Sequence, residues 1–137
     1  MKIKTYSEEE TIQFGEKLAK KLKKGDILAF YGELGSGKTT LIKGIVSGLS
    51  YKKPIKSPSF IIVAIYQTEF PIYHIDLYRL ENIKEINNIG LLDYIYGDGI
   101  SLIEWAEKIE ELLPKKRINI KIFITGEKER EIEIEGL

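Results

Sequence analysis

The stretch Gly32-Glu33-Leu34-Gly35-Ser36-Gly37-Lys38-Thr39-Thr40 constrains this chain more than any other. It follows the apolar run Ile27-Leu28-Ala29-Phe30-Tyr31, which reads as a buried strand. It precedes Leu41, Ile42, Ile45, Val46 and Leu49, which recur at helical spacing. Strand, glycine loop and helix together form the setting in which the pattern G-x-x-x-x-G-K-[ST] acts as a phosphate-binding loop. Gly32, Gly35 and Gly37 open backbone angles closed to other residues, so successive amide N–H groups can point inward at phosphate. A helix starting near Lys38 adds the positive end of its dipole. Lys38 is long enough to reach the terminal phosphates as a point charge. Thr39 offers a hydroxyl to Mg²⁺, an ion that keeps several waters and takes few protein ligands. The plainer reading is a glycine turn between a strand and a helix. A short pattern can match by chance, but here both flanks are right.

Such a lysine needs Mg²⁺ to neutralise the remaining charge of a nucleoside triphosphate, and a carboxylate to hold that ion or its waters. The carboxylate is expected at the end of an apolar strand near the loop. Two segments fit: Ile100-Ser101-Leu102-Ile103 ends in Glu104, and Ile72–Asp76 places Asp76 on the same strand face as His74. The competing readings are a solvated strand end for Glu104, a salt bridge to Arg79 for Asp76, and a structural histidine for His74. Trp105 reads either as core packing or as an aromatic wall beside the nucleotide. Ser57 and Ser59 flank Pro58 between the loop helix and the next strand. A hydroxyl in that connection can sense the terminal phosphate in nucleotide switches, and an ordinary Ser-Pro turn is the alternative.

The rest of the chain frames this centre. Its 137 residues suit one domain, 1–137, with a real core. The 21 basic and 21 acidic residues balance, so the surface as a whole does not argue for nucleic-acid binding. There is no cysteine, hence no disulfide and no thiolate metal site. Charged residues interrupt every apolar stretch before membrane-spanning length, and Met1–Glu8 lacks the apolar core of a signal peptide, so the expectation is a cytoplasmic protein. A short strand at Lys2–Tyr6 leads to a capping box, Ser7 with Glu10. The helix after it carries Ile12, Gly15, Leu18, Ala19 and Leu22 on one face, and the spacing predicts that it runs to Gly25. Lys20, Lys21, Lys23 and Lys24 crowd its end, as a solvated face or as a surface for an acidic or RNA partner. Strands are expected over Ile61–Tyr66, Ile72–Tyr78 and Ile100–Ile103. Asn82–Tyr96 should be partly helical with a break at Gly90, and a short helix should stop at Pro114. Ile118, Ile120, Ile122 and Ile124, with Ile132 and Ile134 beyond Gly126-Glu127-Lys128, predict an antiparallel hairpin with one wet face.

Four segments together resemble one family, the TsaE (YjeE) family of bacterial tRNA threonylcarbamoyladenosine biosynthesis ATPases. They are Gly32–Thr40, Ser57-Pro58-Ser59-Phe60, His74-Ile75-Asp76-Leu77-Tyr78-Arg79 and Ile103-Glu104-Trp105-Ala106-Glu107. The loop alone is generic; the His-x-Asp-x-Tyr-Arg and Glu-Trp segments make the match specific. The resemblance implies an α/β, P-loop NTPase-like mixed sheet flanked by helices, with the C-terminal hairpin. It implies a weak Mg²⁺-dependent ATPase using ATP/ADP and Mg²⁺, with Lys38 and Thr39 in the phosphate and Mg²⁺ roles. It also implies that Asp76 and Glu104 are the essential acids, Glu104 holding the metal, and that Trp105 lies near the nucleotide. Two partners are implied, TsaB and TsaD. Together with them the chain would support repeated turnover of tRNA N6-threonylcarbamoyladenosine (t6A37) modification, meeting tRNA indirectly. The family's usual Ser-Pro-Thr-Phe stands here as Ser57-Pro58-Ser59-Phe60, which keeps the hydroxyl and loses a methyl that would fix its rotamer. Ala106 stands where the family often has proline. Two other classes compete. A small P-loop kinase would need an acceptor segment and usually an arginine-rich lid, whereas Arg79, Arg117 and Arg130 lie in separate segments. A nucleotide-dependent binding module would not need turnover.

Overall fold

Alternation of apolar residues decides the layering. The computed structural model describes residues 1–55, 63–85 and 90–137. In chain order these form β1 (Lys2–Thr5), α1 (Glu8–Ala19), β2 (Ile27–Tyr31), α2 (Lys38–Gly48), β3 (Val63–Gln67), β4 (Pro71–Asp76), α3 (Leu91–Ile95), β5 (Ile100–Glu104), a 3₁₀ helix (Ala106–Leu112), β6 (Ile118–Ile124) and β7 (Arg130–Glu135). In β2, Leu28 and Phe30 enter one core and Ile27 and Ala29 the other, as a period of two requires. The first core lies under α1 and α2. The second contains Leu91 and Ile95 of α3 and Ile109 of the 3₁₀ helix. A strand covered on both faces is central, and β2 is.

The sheet has seven strands in the order β1-β7-β6-β2-β5-β4-β3. The inner four, β6, β2, β5 and β4, run parallel, while β1, β7 and β3 pair antiparallel. All four parallel strands therefore end at one edge, which is where open α/β sheets place their ligands. The loop after β2, Asp76 at the end of β4 and Glu104 at the end of β5 meet there. The register pairs Asp76 with Glu104 and Phe30 with Glu104. The mixed sheet, the flanking helices and the C-terminal hairpin agree with the expected fold class. The hairpin is wet on one face, with Ile120, Ile122, Ile132 and Ile134 buried and Lys121 and Phe123 exposed.

Helix α1 differs from its expected form in two ways. Ser7 Oγ accepts from the Glu10 amide at 3.1 Å, but Glu10 reaches back to the Tyr6 amide (2.9 Å), one residue earlier than a capping box requires. The helix also ends at Ala19 rather than near Gly25. The amides of Lys20, Lys21 and Leu22 bond three residues back, a tightened last turn, and the Asp26 carboxylate takes the Lys23 amide at 2.8 Å. A side chain thus captures a donor that a continuing helix would need. Helices α1 and α2 touch through glycines. A Cβ on Gly15 would stand 2.7 Å from the Leu41 carbonyl oxygen, and one on Gly44 would overlap the Ile12 carbonyl. That close contact seats α2, and with it the loop, against the sheet.

Candidate nucleotide site

The loop turns at Gly35 and Gly37, whose φ angles are +80° and +102°. Only glycine adopts these without strain. Gly37 caps α2 with no side-chain hydrogen bond, so the first amides of α2 are left to another acceptor. Lys38, the first residue of α2, is 5% exposed. Its Nζ donates to the Gly32 carbonyl and lies 3.8 Å from the centroid of the Trp105 ring. Burial lowers its pKa, and the more distant charges of Glu104, Glu107 and Asp76 act against that shift. No ion pair among the described residues includes it. A buried ammonium held by one carbonyl and an aromatic face is a site for an anion.

A chain of hydrogen bonds runs along the edge of the loop. The Thr39 hydroxyl donates to Glu104 Oε1 at 3.2 Å, and Glu104 Oε2 lies 2.7 Å from His74 Nε2. His74 Nδ1 lies 3.1 Å from the Tyr66 hydroxyl. With Glu104 as the acceptor, Nε2–H donates to it and Nδ1 accepts from Tyr66, a tautomer assigned from the network. Glu104 is 3% exposed and His74 fully buried, so Glu104 is no solvated strand end. Asp76 is half-buried beside it and accepts from the Tyr78 amide at 3.0 Å. Burial raises the Asp76 pKa, the Tyr78 amide lowers it, and the Glu104 charge raises it further. Trp105 sits at φ +59°, a strained angle for a bulky residue. It is half-buried, its ring 5.2 Å from that of Tyr78 and under the Lys38 ammonium. It is thus both a packed side chain and a wall of the loop.

The family model for threonylcarbamoyl adenosine biosynthesis protein TsaE matches residues 5–132. The chain belongs to the TsaE family. It is 42% identical to the tRNA threonylcarbamoyladenosine biosynthesis protein TsaE of Bacillus subtilis, over 96% of this chain and 83% of that protein. The protein of the same name from Treponema pallidum is 31% identical, over 98% and 99% of the two chains. The crystal structure of Bacillus subtilis YdiB matches with a TM-score of 0.79 at 40% identity, covering 96% of this chain and 82% of that one.

In this TsaE-family chain the fold brings Lys38, Thr39, Asp76, Glu104 and Trp105 to one edge, as the motifs suggest. Ser36 is buried in the loop, and its Oγ has no hydrogen-bond partner among the described residues. Glu33 and Leu34 form an exposed crest, and Thr40 is half-buried and lines a cleft with Ser7, Thr11 and Arg130. Ser57 and Ser59, the switch candidates, lie outside the described residues, as do Pro58 and Phe60. Two contributors have no signature in the sequence. Tyr66 reaches the site through His74. Arg130, from β7, donates to the Ser36 carbonyl at 2.9 Å and the Gly35 carbonyl at 3.4 Å. Its only signal is position, immediately after the hairpin turn, and nothing local ties that turn to the loop. Among the described residues no helix is long and apolar enough to cross a membrane.

Proposed function

We propose that this chain is a Mg²⁺-dependent ATPase that serves tRNA threonylcarbamoyladenosine formation, working in the cytoplasm as one domain with the TsaB and TsaD proteins. The observation that carries the ATP-binding half is Lys38, a buried ammonium with no ion pair to a carboxylate among the described residues, set directly after the positive-φ glycines Gly35 and Gly37 at an uncapped helix start. The tRNA half rests on the names of the relatives.

The amides of Gly32–Thr40 and the N-terminus of α2 receive the phosphates, and Lys38 takes the terminal ones. The donor set suits Mg²⁺, since Thr39 Oγ1 and Glu104 Oε1 are hard oxygens 3.2 Å apart. When bound, the ion neutralises charge on the phosphate oxygens. Thr39 and Glu104 hold it or its waters, and His74 fixes the Glu104 carboxylate in the orientation this needs. Asp76, half-buried and raised in pKa, orients the attacking water or accepts its proton. Trp105 shields the phosphates from solvent. On the far side of the loop, Ser7, Thr11, Thr40, Glu127 and Arg130 line a cleft of about 450 Å³. Ser57 and Ser59 remain the proposed γ-phosphate sensors. The kinase reading loses two of its three arginines, because Arg117 lies at the other end of β6 and Arg130 is bound to main-chain carbonyls.

Trp105 emission measures nucleotide binding directly. Mg·ADP and Mg·ATP should change it, and Lys38→Ala should abolish the response. Glu104→Gln should keep ADP affinity within about threefold and lose hydrolysis by about a hundredfold or more, the pattern of lost transition-state stabilisation. Adding TsaB and TsaD should raise the ATPase rate of the unmodified protein. Unchanged Mg·ATP affinity in Lys38→Ala, or full turnover in Glu104→Gln, would refute the assignment.

A further inference from the structure

Arg130 opens β7 directly behind the loop after β2. Its guanidinium donates only to main-chain oxygens among the described residues. Nε reaches Ser36 O at 2.9 Å and Nη2 reaches Gly35 O at 3.4 Å. Nη1 reaches Gly126 O at 3.1 Å, Glu129 O at 2.8 Å and Glu127 O at 3.4 Å. Glu127 and Glu129 thus lend their carbonyls, and no carboxylate among the described residues lies within ion-pair distance of Arg130.

The Ser36 bond sets an orientation. In a trans peptide the C=O and N–H vectors oppose one another. A Ser36 carbonyl drawn toward Arg130 therefore turns the Gly37 N–H away from it, into the loop. Gly35 and Gly37 have the positive φ angles that allow the two carbonyls to face backward together. A phosphate loop works only if its amides, not its carbonyls, face the anion. The guanidinium also leaves a full positive charge behind the loop, because the dipoles of five carbonyls solvate it without cancelling it.

We infer that Arg130 is a positioning residue for the phosphate loop: it holds the Ser36 carbonyl outward, so that the Gly37 amide faces the nucleotide while the Ser36 amide stays on the Glu33 carbonyl, and it ties that geometry to the turn between β6 and β7. The inference rests on the proposal that this loop binds nucleotide phosphates. A lysine cannot replace Arg130, since a single ammonium cannot span the turn and both loop carbonyls in fixed planar geometry.

The test is calorimetry with ADP on the full chain, comparing the unmodified protein with Arg130→Gln, Arg130→Lys, Arg117→Gln and Lys38→Ala. Arg130→Gln should weaken ADP binding about tenfold, the scale of one charge-assisted hydrogen bond, and Arg130→Lys should recover little of it. In steady state the loss should fall on KM more than on kcat. Arg117 bonds Pro114 O, Asn119 and Glu110 at the opposite end of β6, so Arg117→Gln should lower the melting temperature without changing ADP affinity. A measurement on the unmodified protein stands beside the variants, and it does not depend on their folding. The Arg130 Nε–H resonance in a ¹⁵N spectrum should move on saturation with ADP. An unmoved resonance overturns the inference, as does unchanged ADP affinity in Arg130→Gln when Lys38→Ala has lost it. Unchanged affinity in Lys38→Ala overturns the phosphate-loop proposal, and the inference falls with it.

Discussion

Replacing His74 with phenylalanine tests whether Glu104 is held from behind. The His74 side chain is 0% exposed and that of Glu104 4% exposed, with 2.7 Å between Nε2 and Oε2. Phenylalanine keeps the ring volume and removes both ring nitrogens. It strands Glu104 Oε2 without a donor and removes the imidazole bond of the Tyr66 hydroxyl. Leaving a buried charged acceptor unpaired costs about 3 kcal/mol, near the low end for a broken buried pair because Oε1 keeps its Thr39 bond. The lost Tyr66 bond adds about 1 kcal/mol. Relaxation of Glu104 toward the loop returns part of this, which leaves an expected loss of about 3 kcal/mol. In a domain of this size that lowers the melting temperature by roughly 10 °C. Urea unfolding of the unmodified protein, His74→Phe, Glu104→Gln and the double variant closes a thermodynamic cycle. In the Glu104→Gln background no charge is stranded, so His74→Phe should cost at least about 1.5 kcal/mol less there. A cycle that is additive within about 0.5 kcal/mol, or a His74→Phe variant as stable as the parent, would show that His74 merely fills space.

Two further perturbations probe the scaffold and the acids. Gly44→Ala drives a methyl into the Ile12 carbonyl and should cost about 3 kcal/mol in urea unfolding, whereas Lys43→Ala, on an exposed position of the same helix, should stay within about 0.5 kcal/mol; equal effects would refute the close helix contact. For Asp76, burial holds the folded-state pKa above the unfolded one, so the folded chain binds the proton more tightly. Stability from this group is present below the unfolded value and is lost as pH rises through the raised folded value. Asp76→Asn should therefore stabilise the protein at pH 7 while removing hydrolysis, and the gap to the parent should close on acidification. A variant less stable than the parent at pH 7 would contradict the raised pKa.

The parts of this molecule that were legible in the sequence are those specified locally. The strand, loop and helix around Gly32–Thr40 follow from a continuous apolar run, a glycine pattern and apolar residues at helical spacing, in that order. The C-terminal hairpin follows from strict Ile alternation around a glycine turn. Glu104 could be singled out because an acid at the end of an apolar strand is conspicuous. The end of α1 could not be read, because five residues with four lysines suit a helix by propensity, and the Asp26 carboxylate competes for their amides only once the chain has turned. Arg130 could not be read either. Its loop partners stand 94 and 95 residues away, and no property of a lone arginine after a hairpin turn announces them.

His74 is the instructive case between these two. Its spacing from Asp76 was visible, and its partner was not, because the partner is chosen by strand register. β4 runs parallel to β5 with His74 opposite Leu102 and Asp76 opposite Glu104. Residues paired in this way share a face, so His74, Asp76 and Glu104 all lie on the side of the sheet where α2 presents Thr39. A slip of β4 by one residue would send His74 and Asp76 to the opposite face and bring Tyr73 and Ile75 into their place. The register is therefore fixed by burial rather than by the site. Ile72 belongs to one core and Ile75 to the other, and both are fully buried, so a slip would misplace each of them at once. The apolar residues that fill the cores on either side of β4 are thus the reason that two acids and a histidine separated in sequence meet at the loop.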